Sequence, residues 1–101
     1  MPATCNVIGE IDIATAPAIT ARILDTIDEA DTGVVVVVDS SGVTFTDSAG
    51  FHLLVHASTY AQRRGHELEV RNMSPLCERV LRLCDWDHEL RLEESMWNYE
   101  T

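Results

Sequence analysis

One short stretch gathers the residue types most able to do chemistry: the carboxylate of Asp47, the hydroxyl of Ser48, and the imidazoles of His52 and His56. On a helix, residues four apart share a face, so His52 lies over Ser48 and His56 over His52. Three chemistries are conceivable. Asp47, Ser48 and His52 could form a hydrolase site, but the segment lacks a Gly-x-Ser-x-Gly elbow, and a base four residues from its nucleophile on one helix is not the usual geometry. His52 and His56 could hold a metal by their spacing, but no third ligand is evident in the sequence. Ser48 could instead offer its hydroxyl to another protein's catalytic machinery as a phosphoacceptor. The free N–H groups and positive dipole end of a helix N-terminus tolerate a phosphate there, while Asp47 opposes it by like-charge repulsion. The bland reading of Ser48 is an N-cap, and the two roles are compatible.

The elements around this stretch are legible from pattern. Residues 34–38 are five consecutive valines between Gly33 and Asp39, a strand buried on both faces. Such sheets usually carry parallel strands joined by helices. An earlier strand spans residues 5–12, with Val7 and Ile11 alternating and Gly9-Glu10 interrupting as a bulge. A helix starts at Thr15 or Ala16, before Pro17, and carries Ile19, Ile23, Ile27 and Ala30 on one stripe. Asp39-Ser40-Ser41-Gly42 reads as a turn, and Val43, Thr44 and Phe45 lead into the reactive stretch. A second helix runs over residues 48–64 and stops at Gly65. A short strand over residues 67–72 follows. Ser74-Pro75 then opens a third helix, with Leu76, Cys77, Val80, Leu81 and Cys84 on its buried side. Leu90 and Leu92 mark a last strand and residues 95–99 a short terminal helix. The order is β-α-β-α-β-α-β-α, an α/β domain with helices packed on a sheet.

Composition narrows the function classes. The 101 residues make one domain. Seventeen acidic residues face seven basic ones, for a net charge of -10. Such a surface repels a phosphate backbone, so nucleic acid is not an expected partner, and a basic protein surface is. No apolar run reaches 18 residues, so no membrane span is expected. Met1-Pro2-Ala3-Thr4 lacks the basic and apolar regions of a signal peptide, which points to the cytoplasm. Three cysteines, an odd count, suit a reducing compartment. Cys77 and Cys84 are seven apart on one helix, about 10.5 Å along its axis, too far for a disulfide, which needs Cα atoms within about 7 Å. Both read as core-facing thiols, and Trp86 and Trp97 as packing residues.

Gly9-Glu10-Ile11-Asp12, the valine strand ending in Asp39, and Gly42-Val43-Thr44-Phe45-Thr46-Asp47-Ser48-Ala49-Gly50 resemble the STAS domain of anti-sigma factor antagonists. Gly65, Leu68-Glu69-Val70, Asn72 and Val80-Leu81 fall where that family places its third strand-helix unit, and the resemblance covers about residues 7–92. It implies a single STAS-like domain over residues 1–101, α/β, with a four- to five-stranded mixed sheet and helices packed on it. It also implies a non-enzymatic regulator with no cofactor of its own. An anti-sigma factor serine kinase phosphorylates the serine after the aspartate, here Ser48. The unphosphorylated form binds that kinase and frees a sigma factor, and a metal-dependent phosphatase restores the serine. Asp12, Asp39, Asp47, Ala49, Gly50 and His52 are the expected partner-binding residues.

Three features depart from the family pattern. Little chain precedes Val7 for the family's extra first strand, Ala49 stands where a second hydroxyl residue is common, and His52 replaces a small residue. Two rival functions are a STAS subunit of a transporter or sensor complex without serine phosphorylation, and a small serine hydrolase.

Overall fold

The computed structural model describes residues 3–83 and 91–92. Its elements run β1 (Ala3–Ile11), α1 (Ala16–Glu29), β2 (Val36–Thr46), α2 (Ser48–Arg63), β3 (Leu68–Arg71), α3 (Pro75–Leu83) and β4 (Arg91–Leu92). The strands lie side by side in sequence order, and every pairing is parallel. Three strands are of useful length and the fourth contributes two residues.

This overturns the expected four- to five-stranded mixed sheet. The physical reason lies in the connections. A helix stands between each strand and the next, and a helical crossover returns the chain to the end where the previous strand began. With strands in sequence order, crossovers of the usual right hand also put the helices on one face of the sheet. The core follows that plan. Cys5, Val7 and Ile11 of β1, Val36 and Val38 of β2, and Leu68 and Val70 of β3 point into a single cluster with Ile19, Ile23 and Ile27 of α1 and Phe51, Leu54, Ala57 and Ala61 of α2. Val37 is buried on the opposite face, outside that cluster, in register with Thr4 and Glu69. Thr4, Asn6 and Ile8 of β1's alternate set are exposed.

The valine strand begins at Val36 rather than Val34 and continues to Thr46. The expected turn at Asp39-Ser40-Ser41-Gly42 is strand. Its extra length is absorbed as a register shift, Asn6 facing Asp39 and Ile8 facing Gly42, so that β2 spends one more residue than β1. A second shift follows where Gly9 faces Val43 and Glu10 faces Phe45. The irregularity expected at Gly9-Glu10 therefore exists, with the surplus residue, Thr44, in β2. Gly9 has φ of +90°, which a side chain would resist.

Local chemistry closes the helices. At the end of α2 the His66 and Gly65 N–H groups donate to the carbonyls of Ala61 (2.9 Å) and Gln62 (3.1 Å), with Gly65 at φ +79°, a Schellman stop. His66 then meets the Val34 carbonyl at 2.8 Å through Nδ1, fastening this turn to the lead-in of β2. Ser74 caps α3 by accepting the Cys77 N–H at 3.1 Å, with Pro75 as first helical residue. On the surface, Tyr60 donates to Asp28 at 2.9 Å, and Arg64 pairs with the same carboxylate at 3.0 Å while stacking on the Tyr60 ring, which ties α2 to α1. Cys5 and Cys77 are buried free thiols. Cys84, Trp86, Leu90, Trp97 and the expected terminal helix lie outside the described residues.

Val36 is fully buried in the middle of the sheet. Val36→Asp is expected to unfold the domain, because an unpaired buried charge costs about 3–5 kcal/mol against a total stability of about 5–15 kcal/mol. Thr4→Asp, on an exposed position of β1, is the matched control. Thermal melts followed by far-UV circular dichroism compare them, and a Val36→Asp protein melting with the wild type would refute the placement.

Candidate functional site

In a sheet of parallel strands joined by helices, all strand-to-helix loops emerge at one end. Here that end gathers the β1–α1 loop, the Asp47 junction and the β3–α3 loop. The first is ordered by Asp12, whose Oδ1 accepts the N–H groups of Ala14 (2.9 Å) and Thr15 (3.0 Å). Thr15 completes the knot. Its Oγ1 accepts the Asp12 N–H at 2.9 Å and donates to the Glu10 carbonyl at 2.9 Å. From the sequence Thr15 reads only as a helix start. The signal available was its position three residues after an aspartate in a loop, the usual setting for mutual side-chain to backbone bonds.

The second loop is a single residue. Thr46 ends β2, Ser48 opens α2, and Asp47 between them is the N-cap, in extended conformation, its Oδ1 accepting the Ala49 N–H at 2.9 Å. Its carbonyl receives the Gly50 and Phe51 N–H groups at 3.0 and 3.4 Å, and its own N–H donates to the Ile11 carbonyl at 3.3 Å. Capping thus belongs to Asp47 and not to Ser48. Ser48 is the first helical residue and is exposed, and its hydroxyl makes no hydrogen bond to the described residues. Ala49 is half-buried beside it.

Gly50 explains the fourth place in the Asp-Ser-x-Gly pattern. It is buried, and a Cβ there would collide with Thr46 Oγ1 and stand 3.0 Å from Ile11 Cγ2 and 3.2 Å from Thr46 Cβ. The absent side chain lets the first turn of α2 settle onto the ends of β1 and β2. The sequence did not signal this close approach of Thr46 to Gly50.

Of the expected partner-binding residues, the structure brings Asp12, Asp47, Ala49 and Gly50 to the neighbourhood of Ser48 through the Asp47–Ile11 bond. His52, one turn along α2, is exposed on the Ser48 side, and His56 is exposed one turn further. Asp39 is elsewhere. It does not close its strand but lies within β2, facing Asn6 and Arg71, five β1 residues short of the Ile11 end, or about 16 Å at strand rise. Its Oδ1 accepts the Ser41 N–H at 2.9 Å and Asn72 Nδ2 at 3.2 Å. The Ser41 backbone bond foremost, then the Ser41 and Asn72 side chains, hold the Asp39 carboxyl below its ordinary value of 3.8. Asn72 itself sits at φ +60°, a left-handed position asparagine tolerates, and Asp39 helps secure it.

Among the described residues no three His, Cys, Asp or Glu side chains converge as metal ligands, and no helix is long and apolar enough to cross a membrane. Asp47, the acid of the hydrolase reading, has its Oδ1 engaged by a backbone N–H of its own helix.

Three substitutions test this geometry. Gly50→Ala is expected to lose about 1–3 kcal/mol by overpacking, since Thr46 is β-branched and its χ1 is stiff. Adding Thr46→Ala, which removes the colliding oxygen, should recover part of the loss in chemical denaturation, and a neutral Gly50→Ala would refute the close approach. Asp39 gives a pH signature. Its folded value is depressed, so its stabilising contribution is complete above the unfolded value near 3.8 and is lost as pH falls through the folded value. Asp39→Ala should therefore melt below the wild type at pH 7, and the gap should close as the pH is lowered past 3.8. A gap constant with pH would show that the carboxylate charge contributes nothing.

Comparison with known proteins comes to the same architecture. The family model described as "Mlab, STAS domain" matches residues 2–94. No curated protein matches the chain. Among solved structures, the chain is similar to an anti-sigma factor antagonist from Mycobacterium paratuberculosis, with a TM-score of 0.74 and 24% identity over 94% of this chain and 81% of that one. It is similar to the anti-sigma factor antagonist SpoIIAA in its unphosphorylated form, with a TM-score of 0.66 and 19% identity over 94% and 84% of the two chains. An anti-sigma-factor antagonist (STAS) domain protein from Planctomyces limnophilus aligns with a TM-score of 0.72 and 16% identity, covering 97% of this chain and 90% of that one.

Proposed function

The chain belongs to the STAS domain family, and on that premise we propose that it is an anti-sigma factor antagonist switched by phosphorylation of Ser48. In this reading it works by being bound. The unphosphorylated chain engages an anti-sigma factor that is also a serine kinase, and the sigma factor that kinase was holding is released. Transfer of a phosphoryl group to Ser48 ends the engagement, and a metal-dependent phosphatase hydrolyses the phosphoserine to reset it. These partners place the protein in the cytoplasm.

The observation that carries the reading is the division of labour at the α2 N-terminus. Asp47 takes the capping task, which leaves the Ser48 hydroxyl exposed on a helix whose start is fixed by Gly50. A hydroxyl held on a rigid element suits in-line transfer, because orientation is settled before the kinase arrives. The chain supplies that nucleophile, and the kinase supplies ATP, Mg²⁺ and the base that takes the hydroxyl proton. Asp12 and Asp47 order the backbone beside Ser48, and His52 is exposed one turn beyond it, so these side chains bear on what the partner meets.

Phosphorylation adds a charge of about -1.5 to -2. The Gly50 and Phe51 N–H groups already bond to the Asp47 carbonyl, so the phosphate gains the helix dipole but little new hydrogen bonding within the chain. Its effect then falls on recognition, where added charge disrupts a matched surface.

The test is a binding titration of wild type, Ser48→Ala and Ser48→Asp against each purified anti-sigma factor kinase of the source organism, with phosphosite mapping. The kinase should phosphorylate Ser48 alone. Ser48→Ala should bind as tightly as unphosphorylated wild type even with ATP present, and Ser48→Asp at least tenfold more weakly. Phosphate on Ser41, Thr44 or Thr46, or equal affinities for the three proteins, would overturn the switch. Binding without phosphorylation would instead favour a STAS subunit that couples to its partner by contact alone.

A further inference from the structure

Five large apolar side chains are exposed among the described residues: Ile8, Ile13, Phe45, Leu76 and Leu83. A lone exposed leucine or isoleucine needs no explanation. Three of these five, however, gather at the end of the sheet that carries Ser48. Ile13 is 84% exposed in the loop that Asp12 and Thr15 pin by hydrogen bonds, two residues past the Ile11 carbonyl that holds Asp47. Phe45 is 52% exposed and lies three residues before Ser48. Leu76, 70% exposed, stands at the start of α3 and lines with Phe45, Thr46 and Val80 a groove of about 120 Å³. Ser48 thus has Ile13 on the side of β1 and the Phe45–Leu76 groove on the side of α3.

We propose that Ile13, Phe45 and Leu76 form an apolar collar around Ser48 that supplies most of the affinity for the anti-sigma partner, while Ser48 supplies the switching. This rests on the reading that the partner is a kinase acting at Ser48, and that reading also identifies the occupant. A stable interface takes about 800 Å² from each partner, a disc of about 16 Å radius. A partner that must reach the Ser48 hydroxyl covers all three apolar residues within such a footprint. The rim is acidic, with Glu10 exposed and Asp12 and Asp47 half-exposed. The matching surface is therefore an apolar patch bordered by Arg or Lys. Affinity at interfaces concentrates in a few desolvated apolar anchors ringed by polar groups. The loop bonds around Ile13 hold it ready, so little ordering cost attends its burial.

Ile13→Ser, Phe45→Ser and Leu76→Ser are compared with Ile8→Ser and Leu83→Ser. The controls are also exposed, but Ile8 lies within β1 beside Gly42 and Leu83 ends α3. All five are titrated against the kinase that phosphorylates wild-type Ser48, with melts to establish folding and sedimentation to establish oligomeric state. Each collar variant should bind at least tenfold more weakly, equivalent to about 1.4 kcal/mol, and still accept phosphate on Ser48 at saturating kinase. The two controls should bind as wild type does. Collar variants that bind like wild type, or controls that lose as much, overturn the collar and leave the Ser48 switch standing. A wild-type dimer that Ile13→Ser or Leu76→Ser dissociates makes a second copy the occupant and overturns it too. Failure of every kinase to bind or phosphorylate wild type overturns the collar together with the reading beneath it.

Discussion

The seating of α2 on the ends of β1 and β2 is the contact on which the rest of this molecule depends. It is made of few parts. The Asp47 N–H reaches the Ile11 carbonyl, and Gly50 leaves room for Thr46 and Ile11 where any side chain would collide. One residue of loop permits no slack. Because the turn is so tight, the direction in which β2 ends fixes the direction in which α2 starts. Phe51 enters the core fully buried only three residues later. Burying such a side chain contributes about 1.5–3 kcal/mol. That burial in turn keeps the exposed first turn, and Ser48 with it, from fraying.

In the proposed switch, reactivity and stability are therefore divided among neighbouring residues rather than combined in one. Asp47 satisfies backbone donors, Gly50 satisfies packing, and Ser48 answers to neither. Had Ser48 been the cap, its oxygen would have been engaged with a backbone N–H. A phosphoryl group on it would then have cost a helix-end bond worth about 1 kcal/mol. As the first helical residue it can gain or lose a phosphate without disturbing any hydrogen bond its hydroxyl makes to the described residues. This is the property a reversible mark needs.

What the sequence made legible followed from period and punctuation. Val36 to Val38, the Ile19–Ile23–Ile27 stripe, the Ser74-Pro75 helix start and the Gly65 stop all express local chemistry, and the structure places them as that chemistry predicts. What escaped was set by pairing. Asp39-Ser40-Ser41-Gly42 has the composition of a turn, yet β1 runs alongside it and holds it as strand with an extra residue. The valines are buried on both faces, but only one face belongs to the core cluster, and nothing in a run of identical residues tells the two faces apart. The mixed sheet came with the resemblance, and the helix between each strand and the next makes it parallel. At the site, the Asp-Ser-x-Gly pattern was visible, but which residue caps and why glycine is required depend on Thr46 and Ile11, contacts no spacing rule reveals.

The acidic surface gives the electrostatics of such a switch a definite form. Two unit charges about 6 Å apart interact by about 0.7 kcal/mol in water and about four times as much at the effective dielectric of a protein boundary. On the free chain a phosphate at Ser48 faces solvent, and salt screens it from other carboxylates beyond about 8 Å. Within that distance the opposing charge is chiefly the neighbouring Asp47. Once a partner covers the same end, water leaves, screening falls, and the phosphate must be matched by a cation or suffer its desolvation cost. In the proposed switch, one covalent change would thus cost little stability when the chain is alone and a large share of the affinity when it is bound. An exposed hydroxyl among apolar contacts, as proposed for Ser48, would achieve this asymmetry. A buried serine would perturb the fold itself, and one far from the interface would perturb nothing.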